Sequence, residues 1–275
     1  MIQTTKLGST DIDVSIIGLG TVKIGRNLGV KYPKAFTIPE DKDVIHLLNT
    51  AGECGINIID TAPAYGTSEA RLGKLLHKTA HPWLIATKAG ELFDPATGES
   101  SYNFTPEFLQ QSVENSLRTL QRDVLDIVLI HSDGNDCDII QRMGALEVLN
   151  HLKQKGLLRA SGMSTKTVDG GILAAEQSDV VMVTHNVDYQ DELPVIEYAR
   201  DHHKGVLIKK AFASGHCANR STLNDSTDPV TESFSCIYQH AGVNSIILGS
   251  INPKHIVENA KKASQTYKTS VKANA

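Results

Sequence analysis

Four side chains with complementary proton chemistry stand just past short apolar runs of this 275-residue chain. Asp60 closes the run Ile56–Ile59, and Tyr65 follows it in the Pro/Gly turn Thr-Ala-Pro-Ala-Tyr-Gly. Lys88 closes Leu-Ile-Ala-Thr-Lys, and His131 closes Val-Leu-Ile-His. A phenol ordinarily titrates near pH 10, too high for a proton relay at neutrality. Lowering it by ~3 units takes about 4 kcal/mol of preference for the phenolate. One ammonium about 4 Å away, at an effective dielectric of ~20, supplies that much. Lys88 is the candidate ammonium. Asp60 is the carboxylate that would keep a buried Lys88 charged. His131 can donate a hydrogen bond to a carbonyl oxygen and aim it at Tyr65. Each residue taken alone has a plainer account: a turn-capping Asp, a solvated Lys, a structural His, a half-buried Tyr. All four plain accounts must hold together in consecutive units, which weakens them. The set reads as a proton-transfer centre for carbonyl/alcohol interconversion. It contains no hydride source, so a cofactor is implied.

Positioning these residues is a task for the runs they terminate. Eight β-branched apolar runs recur: Ser15–Gly18, Ile56–Ile59, Trp83–Thr87, Asp126–Ile130, Leu158–Gly162, Val180–Thr184, Gly205–Ile208 and Ser245–Leu248. Runs apolar on both faces suit a buried parallel sheet. Helical patterns lie between them. One opens at Thr37, Pro39 and Glu40 and carries Val44, Leu47, Leu48 and Ala51 on its stripe. Another opens at Thr105–Pro106 with Leu109, Val113, Leu117 and Leu120, and the last opens at Asn252–Pro253. The fifth, Val168–Glu176, is short and holds Gly170 and Gly171. Eight such units without a long linker predict an α/β fold, a (β/α)8 TIM barrel formed as one domain over 1–275. A doubly wound open sheet is the structural alternative. Residues 2–15 predict a small hairpin capping the lower end. Two long loops, Lys23–Ile38 and Ala213–Asp228, fall on the carboxyl-end face and have the length of lids.

Composition narrows the function classes. Hydrophobic residues make up 40%, charged residues 21%, and the formal net charge is −4. With no basic run, a nucleic-acid or anionic-membrane partner is not expected. No apolar stretch approaches the ~18 residues of a membrane span, and the first residues show no secretory h-region. Cysteines 54, 137, 217 and 236 are too far apart in sequence for a zinc knuckle or redox pair, which predicts free thiols and a cytoplasmic location. His202–His203 reads as a solvated helix end, so no metal is expected.

Several blocks together resemble the aldo-keto reductase family over nearly the whole chain: Gly18–Val22, Asp60–Glu69, Thr87–Ala89, Leu129–His131, Gly162–Thr165 and Gly249–Asn259. The resemblance implies a barrel that binds NADPH without a Rossmann domain. It also implies a tetrad of Asp60, Tyr65, Lys88 and His131, with Tyr65 as general acid. Implied cofactor contacts are Gly20, Thr21 and Ser164. Thr165 stands where the family usually has Asn, and Met182 where it often has Gln. Lys209 replaces a stacking aromatic and could meet pyrophosphate. Ser214 and Gly215 match the loop over the pyrophosphate. Ser250, Glu258 and Asn259 match the last motif. Lys254 and His255 occupy the place of an Arg that grips the 2′-phosphate, a weaker clamp that leaves NADH as a second candidate. The implied activity is NAD(P)H-dependent reduction of a small-molecule aldehyde or ketone. The short segment after Asn259 predicts an open pocket. A reading from another class is a cofactor-binding regulatory subunit, similar to potassium-channel β-subunits.

Overall fold

The computed structural model describes residues 1–30, 32–33, 35–215 and 228–273. An antiparallel hairpin, β1 (Thr4–Lys6) and β2 (Asp13–Ser15), precedes the parallel strands β3 (Ile17–Gly20), β4 (Ile58–Asp60) and β5 (Leu84–Ala89). A second hairpin, β6 (Glu91–Phe93) and β7 (Ser100–Tyr102), interrupts the parallel series. The series resumes with β8 (Leu125–His131), β9 (Leu158–Ser164), β10 (Val180–Thr184), β11 (Gly205–Lys209) and β12 (Ser245–Leu248). The eight parallel strands close into a barrel in chain order, β12 pairing back onto β3. Every run expected from the sequence is a barrel strand, with boundaries shifted by a few residues.

Two apolar layers hold the barrel. Inside lie Ile58, Ala86, Ile127, Leu129, Ala160, Val180, Met182 and Leu207, with Leu7, Ile12 and Val14 from the hairpin. Outside, the alternate strand residues, such as Val128 and Ile130, pack under the helices. The hairpin enters at the lower end. Gly8 takes φ +56 and lies against the backbone of His203 to Gly205, a space that no Cβ could share. Leu7, fully buried, then sits against Gly205 and Val180.

The helices follow their sequence signals. Pro106–Leu120 starts after Thr105 with Pro in its first turn, and ends on Gln121 at φ 55. It buries Leu109, Val113, Leu117 and Leu120. The short fifth helix forms as Val168–Gln177 despite its glycines. Thr167 Oγ1 caps it by accepting from Gly170 N at 3.2 Å. The glycines let it approach Asp136 and Val195: a Cβ on Gly171 would stand 2.5 Å from Val195 Cγ2. Between β8 and β9 the chain makes two helices, Asp136–Gln141 and Ala145–Gln154. No helix among the described residues is long and apolar enough to cross a membrane.

Candidate active site

Strand periodicity of two fixes which side chains enter the mouth. Ile58, Ala86, Leu129 and Leu207 face the barrel interior. Asp60, Lys88, His131 and Lys209 each lie two positions further on and share that face, one layer higher. Apolar layers close the barrel below them, so the polar layer is the floor of the upper cleft.

Lys88, 2% exposed, donates from Nζ to Asp60 Oδ1 at 2.5 Å and to the Thr61 carbonyl at 2.9 Å. The Pro63–Tyr65 turn of 3-10 helix brings Tyr65 over this pair, with Lys88 Nζ 4.6 Å from its ring centroid. The His131 ring meets Tyr65 edge-on, centroids 6.2 Å apart and planes at 83°. The four residues thus come together around one cleft. Thr87, Glu69 and Ser116 brace the layer behind: Thr87 Oγ1 donates to Glu69 Oε1 at 2.5 Å, and Ser116 Oγ to Glu69 Oε2 at 3.2 Å.

The phenol does not behave as the sequence arithmetic expects. Burial pushes Tyr65 well above its ordinary value, and the charges of Asp60 and Glu91 and the neighbouring Tyr32 push it the same way. Burial is the main cause, and the Lys88 ammonium offsets little of it because it is paired with a carboxylate 2.5 Å away. That carboxylate, Asp60, also raises the phenol directly. Tyr65 is held as a protonated donor.

Sequence reasoning missed Glu91. Its Oε2 lies 2.7 Å from His131 Nδ1, to the side of the ideal N–H direction. Its Oε1 accepts from Ser100 Oγ at 2.5 Å and lies 3.6 Å from Arg26 Nη1. Burial raises the Glu91 carboxyl, but His131, Ser100 and Arg26 outweigh it and hold it at about 2. Burial lowers His131, Glu91 opposes, and Lys88 and Lys209 add to the lowering. The one available signal was an acid two residues after a strand-end lysine, too common in loops to single out. Tyr32 was missed as well: Lys23 Nζ stands 4.2 Å over its ring, and its hydroxyl reaches toward Gly249. The loop after β3 therefore leans across the mouth toward the loop after β12.

The residues expected at a cofactor fall into separate groups. Ser164 is in register with His131 across β8 and β9. Lys209 Nζ donates to Ser164 Oγ at 2.9 Å and to the Thr165 carbonyl at 2.5 Å. Burial lowers Lys209 to about 7, with Glu192 opposing and Lys210 adding to the lowering. Thr165 Oγ1 is buried without a partner. Gly20 pairs with Asp60 in the barrel register. Thr21 is committed to the protein: its hydroxyl donates to the Asp60 carbonyl at 2.8 Å and accepts from Ser68 Oγ at 2.8 Å. Gly215 faces Pro33 of the loop after β3. Of Ser214 only the backbone, in the turn Ala213–Gly215, is described. The rest of its loop, residues 216–227 with Cys217, lies outside the described residues, as do Lys31 and Lys34. Ser250 precedes the helix Pro253–Ala273, and Lys254, His255, Glu258 and Asn259 lie in its first two turns. Lys254 and His255 are exposed there, and the first turn carries no acidic residue. Such an N-terminus attracts anions. Among the described residues no group of three or more His, Cys, Asp or Glu is arranged to hold a metal.

These features, a closed barrel with a Lys–Asp pair, a phenol and an imidazole at its upper rim, agree with comparisons to known proteins. The model of the aldo/keto reductase family matches residues 16–236. Over 96% of this chain and 95% of the other, the fold superposes on the crystal structure of PA4992 from Pseudomonas aeruginosa, ascribed to the aldo-keto reductases, with a TM-score of 0.84 at 46% identity. The oxidoreductase YqkF of Bacillus subtilis is 27% identical over 217 residues, covering 76% of this chain. The NADH-specific methylglyoxal reductase of Escherichia coli is 29% identical over 218 residues, covering 74%. This chain spans 65% and 64% of those two relatives' own lengths. The chain belongs to the aldo/keto reductase family, a family of oxidoreductases that use nicotinamide cofactors.

Proposed function

We propose that this protein reduces an aldehyde or ketone to an alcohol with NADPH, and that Tyr65 supplies the proton. The observation that supports this most is the protonated, buried Tyr65 beside the Lys88–Asp60 pair and His131. The cofactor, when bound, supplies hydride to the carbonyl carbon. Tyr65 holds a proton at its hydroxyl and gives it to the carbonyl oxygen. Lys88 and Asp60 keep the floor of the cleft fixed and net neutral. His131 orients the carbonyl.

The residues present suit a dinucleotide. Ser164 and the unpartnered Thr165 hydroxyl would receive a carboxamide, and Lys209, expected at the pyrophosphate, would join them because it is bonded to Ser164 and Thr165. Ser214 and Gly215 would lie along the pyrophosphate. Ser250, Lys254, His255, Glu258 and Asn259 would hold the adenosine end, with Lys254 and His255 supplying positive charge for a 2′-phosphate. We take residues 1–275 as one such domain acting in the cytoplasm on a small carbonyl compound. The Escherichia coli relative is named NADH-specific, so both cofactors are to be compared. The test is fluorescence titration with NADPH and NADH, followed by a panel of aldehydes and ketones on the loaded protein. Tighter NADPH binding with turnover is the expected result. Binding without turnover of any carbonyl would favour a regulatory role, and no binding would remove the proposal.

A further inference from the structure

The contact between Glu91 and His131 bears on catalysis in a way that rests on the carbonyl-reductase function proposed for this site. Glu91 presents its two oxygens to different partners. Oε1 takes the Ser100 hydroxyl at 2.5 Å and lies 3.6 Å from Arg26, while Oε2 lies 2.7 Å from His131 Nδ1. The support is rigid. Glu91 and Ser100 sit on the two strands of one hairpin. Arg26 is fixed by the carbonyls of Leu28 at 2.9 Å, Ala64 at 3.0 Å and Gly29 at 3.3 Å, and its guanidinium stacks 3.8 Å over Phe93. Held by a cation and a hydroxyl, Glu91 is an anion that only accepts. A bare Nδ1 lone pair 2.7 Å from that oxygen would be repelled, so Nδ1 carries the hydrogen. A neutral imidazole has one N–H, which leaves Nε2 without one. Nε2 makes no hydrogen bond to protein among the described residues. A carbonyl oxygen is also only an acceptor, so neutral His131 has nothing to offer it.

We propose that Glu91 is a positioning residue that fixes His131 in its Nδ1–H form, so that His131 donates to a carbonyl only as imidazolium and accepts from an alcohol when neutral. Reduction therefore draws on protonated His131. The proton delivered to the carbonyl oxygen still comes from Tyr65, and His131 keeps its own. The groups facing His131 are Glu91 from β6, Lys88 from β5, Lys209 from β11 and the Tyr65 ring from the turn after β4. Burial and the two lysines oppose the protonated ring and Glu91 favours it, so the titration falls on the acid side of an ordinary histidine.

Imidazole 15N NMR of the whole protein decides the matter without any turnover. The neutral form of His131 is expected to show a protonated Nδ1 and an unprotonated Nε2. Glu91→Gln should lower the His131 titration and populate the Nε2–H tautomer, because an amide can turn its NH2 toward Nδ1. A wild-type neutral form carrying its hydrogen on Nε2 would overturn the proposal, and needs no variant to be seen. In the second arm, kcat/KM for 4-nitrobenzaldehyde at saturating NADPH should fall about tenfold per pH unit above the His131 titration measured by NMR, the slope of one ionisation. Glu91→Gln should flatten that limb; an unaltered limb in Glu91→Gln counts against the proposal. Absence of turnover in every protein would defeat the carbonyl-reductase reading while the NMR arm still judged the Glu91–His131 assignment.

Discussion

Tyr65 carries no ion pair, and the part proposed for it rests on staying protonated until a carbonyl oxygen is beside it. Tyr65→Phe removes one hydroxyl and keeps the ring. Steady-state kinetics should show kcat down by roughly 10²–10⁴, the scale of a lost general acid, with cofactor affinity nearly unchanged by titration. A variant that kept near-normal turnover would take Tyr65 out of that part. Lys88 calls for a different expectation. It is 2% exposed and bonded to a carboxylate that is itself 4% exposed. Lys88→Met would strand the Asp60 charge, a loss of about 3–5 kcal/mol. Denaturant unfolding should show this, and Asp60→Asn added to Lys88→Met should recover part of it. Equal stability in the two variants would mean that the pair is not coupled.

At the scale of elements, the β6–β7 hairpin does more than its length suggests. Gly90, at φ +111 with the Phe104 ring against its open side, turns the chain from β5 into β6 and so delivers Glu91 to His131. Gly90→Ala should cost about 1–3 kcal/mol from backbone strain alone, read as a lower denaturation midpoint, and should alter the His131 titration together with it. The lower hairpin gives a contrasting case. Leu7 plugs the barrel far from the cleft, so Leu7→Ala should cost about 2–5 kcal/mol while leaving the KM of a carbonyl substrate unchanged. The eight barrel strands and the β1–β2 hairpin were legible from apolar runs and turn residues. The β6–β7 hairpin was not, because Ser100–Tyr102 is exposed and has no apolar alternation to mark it. Nor was the second helix between β8 and β9, since eight simple units already accounted for the cadence.

For the molecule as a whole, acid stability should fall in two stages. His185 is fully buried, 4.9 Å from the His240 ring centroid, and burial, then His240, lowers it to about 4. Between its ordinary 6.5 and about 4, the unfolded chain binds a proton that the folded chain refuses. Stability from this group is full above 6.5 and is lost as pH falls toward 4, on the order of 3 kcal/mol in all. Glu91 acts in the next window: its depressed carboxyl contributes above 4.5, and the contribution is lost as pH falls toward 2. Thermal unfolding followed across pH should show the first loss flattened in His185→Gln and the second in Glu91→Gln. A single acid transition unaffected by either change would contradict the assignment.

By itself the sequence determined the barrel and four residues of its rim, Asp60, Tyr65, Lys88 and His131. Strand side chains alternate in and out, so a polar residue two places beyond an inward apolar one must point into the mouth, and Asp60, Lys88 and His131 all obey that spacing. The tertiary structure decided how those groups act on one another. That Lys88 pairs with Asp60, that burial keeps Tyr65 protonated, that Lys209 turns to Ser164 and Thr165, and that Glu91 sets the hydrogen on His131 all depend on through-space distances and desolvation. Both arise between segments far apart in the chain, and no local spacing encodes them.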